Sequence, residues 1–301
     1  MIPYSATLGY STLLDRLSEA AVVELDQLMV QFANEPQAAQ QEALMDLLPV
    51  LGNQYAEASS LVSAEFFTEL QAMHGIRRPV AAETAPPLGN KQWHALAGWG
   101  ASSRSFEQGG ALLVYSLLSG GLTKALTEVS ADTIIGNAEL QNAASSGIYI
   151  GYQRVPRPGC CAWCGMLASR FADYATEASA TTVVGRGAPL GSHRLAKGIM
   201  PRGSRRAGES FHDYCRCRVV AVTESNAAQM QSDADDYYEA YQEARKKATG
   251  KLESDITDWA DPDGTRHQTR EWVDDEGNTF KSDNRLTKRI AAEMRESMGV
   301  K

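Results

Sequence analysis

Apolar residues recur every three or four positions through residues 10–32, near the start of the chain. They are Leu13, Leu14, Leu17, Ala21, Leu25, Leu28, Met29 and Phe32. This spacing places apolar side chains along one face of a helix. We therefore predict a long amphipathic helix that packs against other helices.

A second helical pattern begins near Ala38 and runs past Leu48. Proline lacks a backbone donor and glycine has low helix propensity, so we predict a break at Pro49 and Gly52. The pattern resumes over residues 55–73, with four large residues turned inward: Leu61, Phe66, Phe67 and Leu70. Residues 1–145 are therefore predicted to form a helical domain.

Residues 77–89 contain three prolines, which predicts a loop crossing or a hinge. Helices are expected to return over residues 92–140, where a leucine-rich stretch supports burial. The apolar run at residues 110–122 is interrupted by serines and glycines and is shorter than the roughly 18 residues of a membrane helix. It predicts a buried helix of a globular domain.

Two short β-like runs, residues 146–152 and 217–222, flank a segment that contains the cysteines. Within that segment, residues 181–208 are rich in Gly, Ser, Arg and Pro and show no apolar period, which predicts a long surface loop. A loop of this length needs something to hold its ends. Residues 146–225 are predicted to form a small α/β module clamped by a metal.

The C-terminal part, residues 226–301, is predicted to be an appendage of helix plus β-hairpin. Acidic residues precede basic ones over residues 232–247, as expected for a helix whose charges match its dipole. Residues 271–273 and 279–281 are expected to pair as a hairpin. Turns are predicted at residues 261–264 and 276–278 and a last helix over residues 286–298. The predicted fold class is α+β with a predominantly helical N-terminal half.

Net charge and cysteine content exclude some classes of protein. The 301-residue chain has a net charge of -8, so it is not as a whole a binder of polyanions. Its first residues lack the basic start and apolar stretch of a secretory signal, so we expect it to stay in the compartment that made it. All five cysteines lie between residues 160 and 217, and this odd, clustered set points to metal before disulfides.

The cysteine pattern is typical of a tetrahedral zinc site. Cys161 and Cys164 form a Cys-x2-Cys pair, which supplies two thiolates from one tight turn. His212, Cys215 and Cys217 are the other candidates, of which a four-coordinate site uses two. Spacing favours His212 with Cys215. The pair Cys215 with Cys217 stays open, because alternate residues of an extended backbone point to the same side.

A structural zinc would offset the entropy of closing the long loop. Two other interpretations of the cluster remain open. In the first, the cysteines are reduced structural residues beside an ordinary histidine. In the second, they form a redox pair or a Cys–His nucleophile. Cys160 is adjacent to Cys161 and is predicted not to be a ligand.

Basic residues concentrate between the two halves of the cluster and just after it. Against Glu209 and Asp213 stand Arg186, Arg194, Lys197, Arg202, Arg205, Arg206, Arg216 and Arg218, a local charge near +6. Such a segment is suited to DNA phosphates or to an acidic partner surface. A solvated loop is the alternative.

Local signatures of common enzymes are missing. The sequence contains no G-x-S-x-G, no H-E-x-x-H and no phosphate-binding G-x4-G-K-[ST] pattern. Ser210 stands two residues from His212, but neighbours of this kind more often serve folding than catalysis.

The cluster also carries a resemblance to a known family. Two runs carry it: Arg-Val-Pro-Arg-Pro-Gly-Cys-Cys-Ala-Trp-Cys-Gly-Met-Leu-Ala-Ser-Arg at residues 154–170 and Phe-His-Asp-Tyr-Cys-Arg-Cys at residues 211–217. Together they resemble head proteins of tailed actinobacterial phages, which are labelled capsid maturation protease or Mu F-like minor capsid protein.

This resemblance implies a minor capsid protein for head morphogenesis. Such a protein is incorporated with portal, major capsid and scaffold proteins during procapsid assembly in the host cytoplasm, and it stays in the virion. The basic segment would then face packaged DNA. The alternative that the resemblance implies is a protease that cleaves capsid or scaffold protein, for which no catalytic set is identifiable. Nothing carries over to the residues after Gly250.

Overall fold

The computed structural model describes most of the helical N-terminal part and shorter pieces of the rest. The described residues are 4–86, 88–144, 150–156, 164–165, 168, 217–223, 226–249, 253–260, 266–273, 279–281 and 284–298. The chain divides into two compact units, Met1–Val155 with Ala172–Met230 and Pro156–Phe171 with Gln231–Lys301. The fold is a mostly helical α+β fold with a small two-stranded sheet, as predicted at this coarse level.

Four helices build the body of the first unit. They are α1 (Tyr4–Gln31), α2 (Gln37–Met73), α3 (Asn90–Gly100) and α4 (Ser103–Ala144). Their shared core contains buried leucines of α1, α2 and α4 packed around one tryptophan of α3: Leu25, Leu44, Leu48, Leu118, Leu122, Leu126 and Trp93. No helix among the described residues has an apolar stretch long enough to cross a membrane.

The predicted break in the second helix is wrong. α2 continues through Pro49 and Gly52, and both residues are buried. Gly52 lies against the indole of Trp93, where an added Cβ would come within 2.7 Å of ring carbons. Tertiary packing here outweighs the local cost of proline in a helix, about 3 kcal/mol.

Helix α4 bends at one glycine. Gly110 has φ of 61° and ψ of -157°, outside the helical region. A φ in the left-handed range is accessible to glycine at little cost, because glycine has no Cβ. The predicted helices over residues 92–140 are therefore confirmed, with a corner between α3 and α4 and a kink within α4.

The loop between α2 and α3, residues 77–89, is tied to α4 along its length. The Asn137 amide accepts a hydrogen bond from the Glu83 N–H at 2.8 Å and donates to the Glu83 carbonyl at 2.7 Å. One turn further along α4, the Gln141 side chain accepts from the Val80 N–H and donates to the Arg78 carbonyl. The predicted loop crossing is confirmed, and its backbone polar groups are satisfied by helix side chains.

Two short strands also belong to the first unit. β1 (Gly151–Val155) and β2 (Arg218–Val222) pair antiparallel, with Gly151 opposite Val222 and Val155 opposite Arg218. All residues of β2 and the first four of β1 are buried, and both strands pack against α4. Strands on either side of the cysteine segment are confirmed, although β1 is shifted toward the C-terminus from the predicted run at residues 146–152, of which 146–149 lie outside the described residues.

The second unit contains most of α5 (Ala227–Thr249), three strands and α6 (Asn284–Met298). The strands β3 (Glu253–Ala260), β4 (Arg266–Val273) and β5 (Thr279–Lys281) form an antiparallel sheet in that order. Ile290 and Met294 of α6 pack on Ala244 and Ala248 of α5 in a small apolar cluster.

The predicted hairpin of this unit is confirmed. Glu271 pairs with Lys281, Trp272 with Phe280 and Val273 with Thr279. β3 was not predicted. The turns predicted at residues 261–264 and 276–278 lie outside the described residues.

Candidate functional site

The strand pair is the root of the segment that carries the cysteines. That segment, residues 156–217, leaves β1 after Val155 and enters β2 at Arg218, and these two residues are paired partners. Its two ends are therefore held side by side by main-chain hydrogen bonds. The strand pair brings these ends together by itself, and the metal clamp stays a prediction.

Arg218 fixes this root to the helical body. Its Nη2 donates to the Oδ1 of Asp15 in α1 at 3.1 Å, and its Nη1 donates to the Oγ1 of Thr127 in α4 at 3.0 Å. The side chains of Arg218 and Asp15 are 2% and 10% exposed. A guanidinium buried this deeply requires a charged partner, and Asp15 supplies it.

Tyr10 is a further buried residue of α1 that carries a polar group. The phenol ring of Tyr10 stacks on Phe66 with ring centroids 4.2 Å apart. The Tyr10 and Ser63 hydroxyl oxygens are 3.0 Å apart, and Ser63 donates its own proton to the Ser59 carbonyl, so Tyr10 is the donor. Burial raises the pKa of Tyr10 to about 12, against smaller lowering effects of the Ser63 hydrogen bond and the Arg218 charge.

Further hydrogen bonds pin the other ends of both strands. The Asn142 amide of α4 donates to the Ile150 carbonyl at 2.9 Å and accepts from its N–H at 2.7 Å, just before β1. After β2, the Thr223 hydroxyl lies 2.9 Å from the Nδ1 of His74, and Asn226 accepts from the Thr223 N–H. Burial lowers the pKa of His74, so the imidazole is neutral at pH 7.

Only two of the predicted zinc ligands are among the described residues. Cys164 is 1% exposed and Cys217 is 2% exposed, and buried thiols are suited to a closed structural metal site. Cys161, His212 and Cys215 lie outside the described residues. Within the described ranges, no group of three or more His, Cys, Asp or Glu side chains is arranged to hold a metal ion. The zinc site stays a prediction.

Of the basic residues predicted to contact DNA or an acidic partner, one is described by the structure and the others are not. Arg218, which we counted in the basic segment, is buried in the ion pair with Asp15 and is not available to a phosphate. The other basic residues of the segment lie outside the described residues: Arg186, Arg194, Lys197, Arg202, Arg205, Arg206 and Arg216.

Sequence reasoning missed the partners of Arg218. The available signal was Asp15, a carboxylate next to Leu14 on the apolar side of α1, where an unpaired charge is costly. For the loop at residues 77–89 the signal was Asn137 and Gln141, two polar residues on the buried side of α4. Neither signal identifies the partner, because the partners are distant in sequence.

The fold and the site define a helical-body protein in which a long cysteine-containing segment is anchored between two paired strands. The chain belongs to the VG15 protein family, a phage-associated family that it matches over residues 1–244. The match therefore covers the helical body, both strands and the entire cysteine segment, and it ends within α5. No curated protein and no solved structure shows significant similarity to the chain.

Proposed function

We propose that this protein is a minor capsid protein of a tailed phage, incorporated with the portal during procapsid assembly. One observation carries the proposal: the match to a phage-associated family spans residues 1–244, which include the helical body and the segment at residues 156–217. A helical body that holds both ends of one long segment on paired strands gives that segment a defined point of attachment, which suits a binding segment in an assembly.

Within this function, the cysteine segment would be ordered by a structural zinc ion. Cys161 and Cys164 supply two thiolates, and two of His212, Cys215 and Cys217 complete the tetrahedron. The strand pair already holds the ends of the segment, so the metal would fold its interior and not close it. This role agrees with the burial of Cys164 and Cys217.

The basic residues of the segment would contact packaged DNA. They are Arg186, Arg194, Lys197, Arg202, Arg205 and Arg206, all between the two halves of the zinc set. Lys and Arg side chains pair with phosphates and release bound counterions, so a segment of this charge is suited to DNA.

The protease alternative gains no support from the described residues. Thr223 and His74 form a hydroxyl–imidazole contact, but Thr223 is 6% exposed and its backbone N–H donates to Asn226 just before α5. A substrate carbonyl has no access to a hydroxyl in this position.

The composition of purified heads tests the proposed function. A phage that lacks the gene is complemented with the wild-type chain, and full and empty heads are analysed by quantitative mass spectrometry. We expect the chain in both kinds of head, and we expect normal processing of major capsid protein without it. Absence of the chain from heads, or loss of capsid-protein cleavage with assembly intact, would contradict the minor capsid role.

A further inference from the structure

The negative charge of the protein is concentrated in its first two helices. Residues 1–73 contain ten of the 37 acidic residues of the chain but only Arg16 of its 29 basic residues. The rest of the chain is close to neutral. α2 contains no Lys or Arg at all.

Most of these carboxylates are at the surface. Asp15 is buried in the ion pair with Arg218, and Glu24 accepts a hydrogen bond from Tyr55 at 2.9 Å. The others are exposed: Glu19, Asp26, Glu35, Glu42, Asp46, Glu57, Glu65 and Glu69. The α1–α2 pair therefore presents a strongly negative surface.

Exposed apolar side chains share one face of α1 with two of these carboxylates. We call this face the outer stripe: Leu8, Glu19, Val23, Asp26 and Val30. From Glu19 onward the residues are three or four positions apart, and Leu8 lies eleven positions before Glu19, about three turns, so all five share one side of the helix. Leu8 is 43% exposed, Val23 56% and Val30 65%.

The charge on this stripe decides among possible occupants. DNA and anionic lipid would meet carboxylates and be repelled. A second copy docked stripe to stripe would place Glu19 and Asp26 against the same residues, which is unfavourable. A helix with apolar residues flanked by Lys or Arg satisfies both features, since it covers the apolar side chains and places its cations next to the negative surface of α1 and α2.

We propose that the outer stripe of α1 docks a basic amphipathic helix of another protein of the phage head. This inference rests on the proposed function. The apolar side chains supply the buried contact, and the acidic surface of α1 and α2 selects a positively charged partner and speeds its encounter.

Site-specific cross-linking identifies the occupant. A photoreactive amino acid replaces Val23 in the full chain, and a matched control replaces Leu112 of α4, which is apolar and 77% exposed. Both are activated during phage assembly, and the linked residues are identified by mass spectrometry. We expect Val23 to link to a Lys- or Arg-rich helix of a different head protein, and Leu112 not to. Links from Val23 to α1 of a second copy or to DNA, or no more links than from Leu112, would overturn the proposal.

A charge reversal measures the consequence for assembly. Asp26→Lys alters the outer stripe, whereas Glu107→Lys makes the same charge change at an exposed position of α4. We expect Asp26→Lys to lower the number of copies per head by about tenfold and Glu107→Lys to leave it unchanged. If both variants and the wild type reach the same number of copies per head, the proposed docking surface is wrong and the proposed function is unaffected. Absence of the wild type from heads instead overturns the proposed function.

Discussion

Asp15 and Arg218 are 203 positions apart in the sequence, and their Oδ1 and Nη2 atoms lie 3.1 Å apart inside the protein. This ion pair joins the first helix to the strand that follows the cysteine segment. It makes the segment part of the helical body at the point where the chain re-enters the fold. The strand at which the segment ends is therefore anchored to the first helix by a buried ion pair.

Removal of one partner of this pair leaves a buried charge without compensation. We expect Asp15→Ala to lower the free energy of unfolding by about 3–5 kcal/mol, measured by urea denaturation. The control is Lys124→Ala, which breaks the 3.7 Å ion pair with Glu128 at a site where Lys124 is 33% exposed, and which should cost less than about 1 kcal/mol. In a double-mutant cycle, Asp15→Leu with Arg218→Met should cost less than the sum of the two single changes. Additive losses would show that the pair is not coupled.

The side-chain amide of Asn137 holds the loop between α2 and α3 by hydrogen bonds to the backbone N–H and carbonyl of Glu83. Asn137→Leu should destabilise the protein by about 1–3 kcal/mol, because the Glu83 N–H and carbonyl lose their partner. Hydrogen exchange at the Glu83 amide should accelerate. Gln40→Leu removes a comparable bond to the Glu35 carbonyl at an exposed site, and it should change stability by no more than about 0.5 kcal/mol. Unchanged exchange at Glu83 would show that the loop does not depend on this helix side chain.

Gly52 is required by the close approach of Trp93. Gly52→Ala places a Cβ within 2.7 Å of the indole and should cost about 1–3 kcal/mol through overpacking. Gly98→Ala is the matched control, since its Cβ meets only the Met45 sulfur at 3.8 Å. That change should stabilise the protein by up to about 1 kcal/mol through helix propensity. Thermal unfolding of both variants measures the contrast, and a stabilised Gly52→Ala would contradict the packing argument.

Tyr10 makes stability depend on pH in the alkaline range. Its pKa is raised from 10.0 to about 12 in the folded protein, so the unfolded chain loses this proton first. The contribution of Tyr10 to the free energy of unfolding is fully present below pH 10 and falls as the pH rises toward 12. It amounts to roughly 2–3 kcal/mol. We expect Tyr10→Phe to show a weaker loss of unfolding free energy between pH 9 and pH 11 in parallel urea titrations. Identical pH profiles would show that Tyr10 is not buried as a neutral phenol.

The zinc prediction is tested by metal content and local order together. Cys161→Ala with Cys164→Ala should remove one zinc ion per chain, because half of the tetrahedral ligand set is lost. Hydrogen exchange should increase across residues 156–217, while the helical body stays protected because the strand pair and Arg218 still hold the root. Cys160→Ala, the adjacent cysteine outside the predicted set, should retain zinc. Zinc retained by the double variant would contradict this ligand assignment.

Periodicity and local pairing in the sequence determined much of the architecture. The three- and four-residue spacing in α1 required a helix with a buried face, and the pairing of Trp272 with Phe280 followed from two β-like runs on either side of a turn signal. The strand at Arg218–Val222 was also evident, because three of its five residues are β-branched valines, and the β-like run predicted at residues 146–152 overlaps the start of Gly151–Val155. These features depend on neighbours within a few positions.

Only the tertiary structure decided the features that join distant residues. Pro49 signals a break, yet α2 continues because both of its halves pack into one core around Trp93. Arg218 has the composition of a surface cation, yet Asp15 and Thr127 make its burial favourable. Local sequence sets the conformation that each segment prefers, whereas packing and the pairing of buried polar groups select among these preferences, and their partners lie anywhere along the chain.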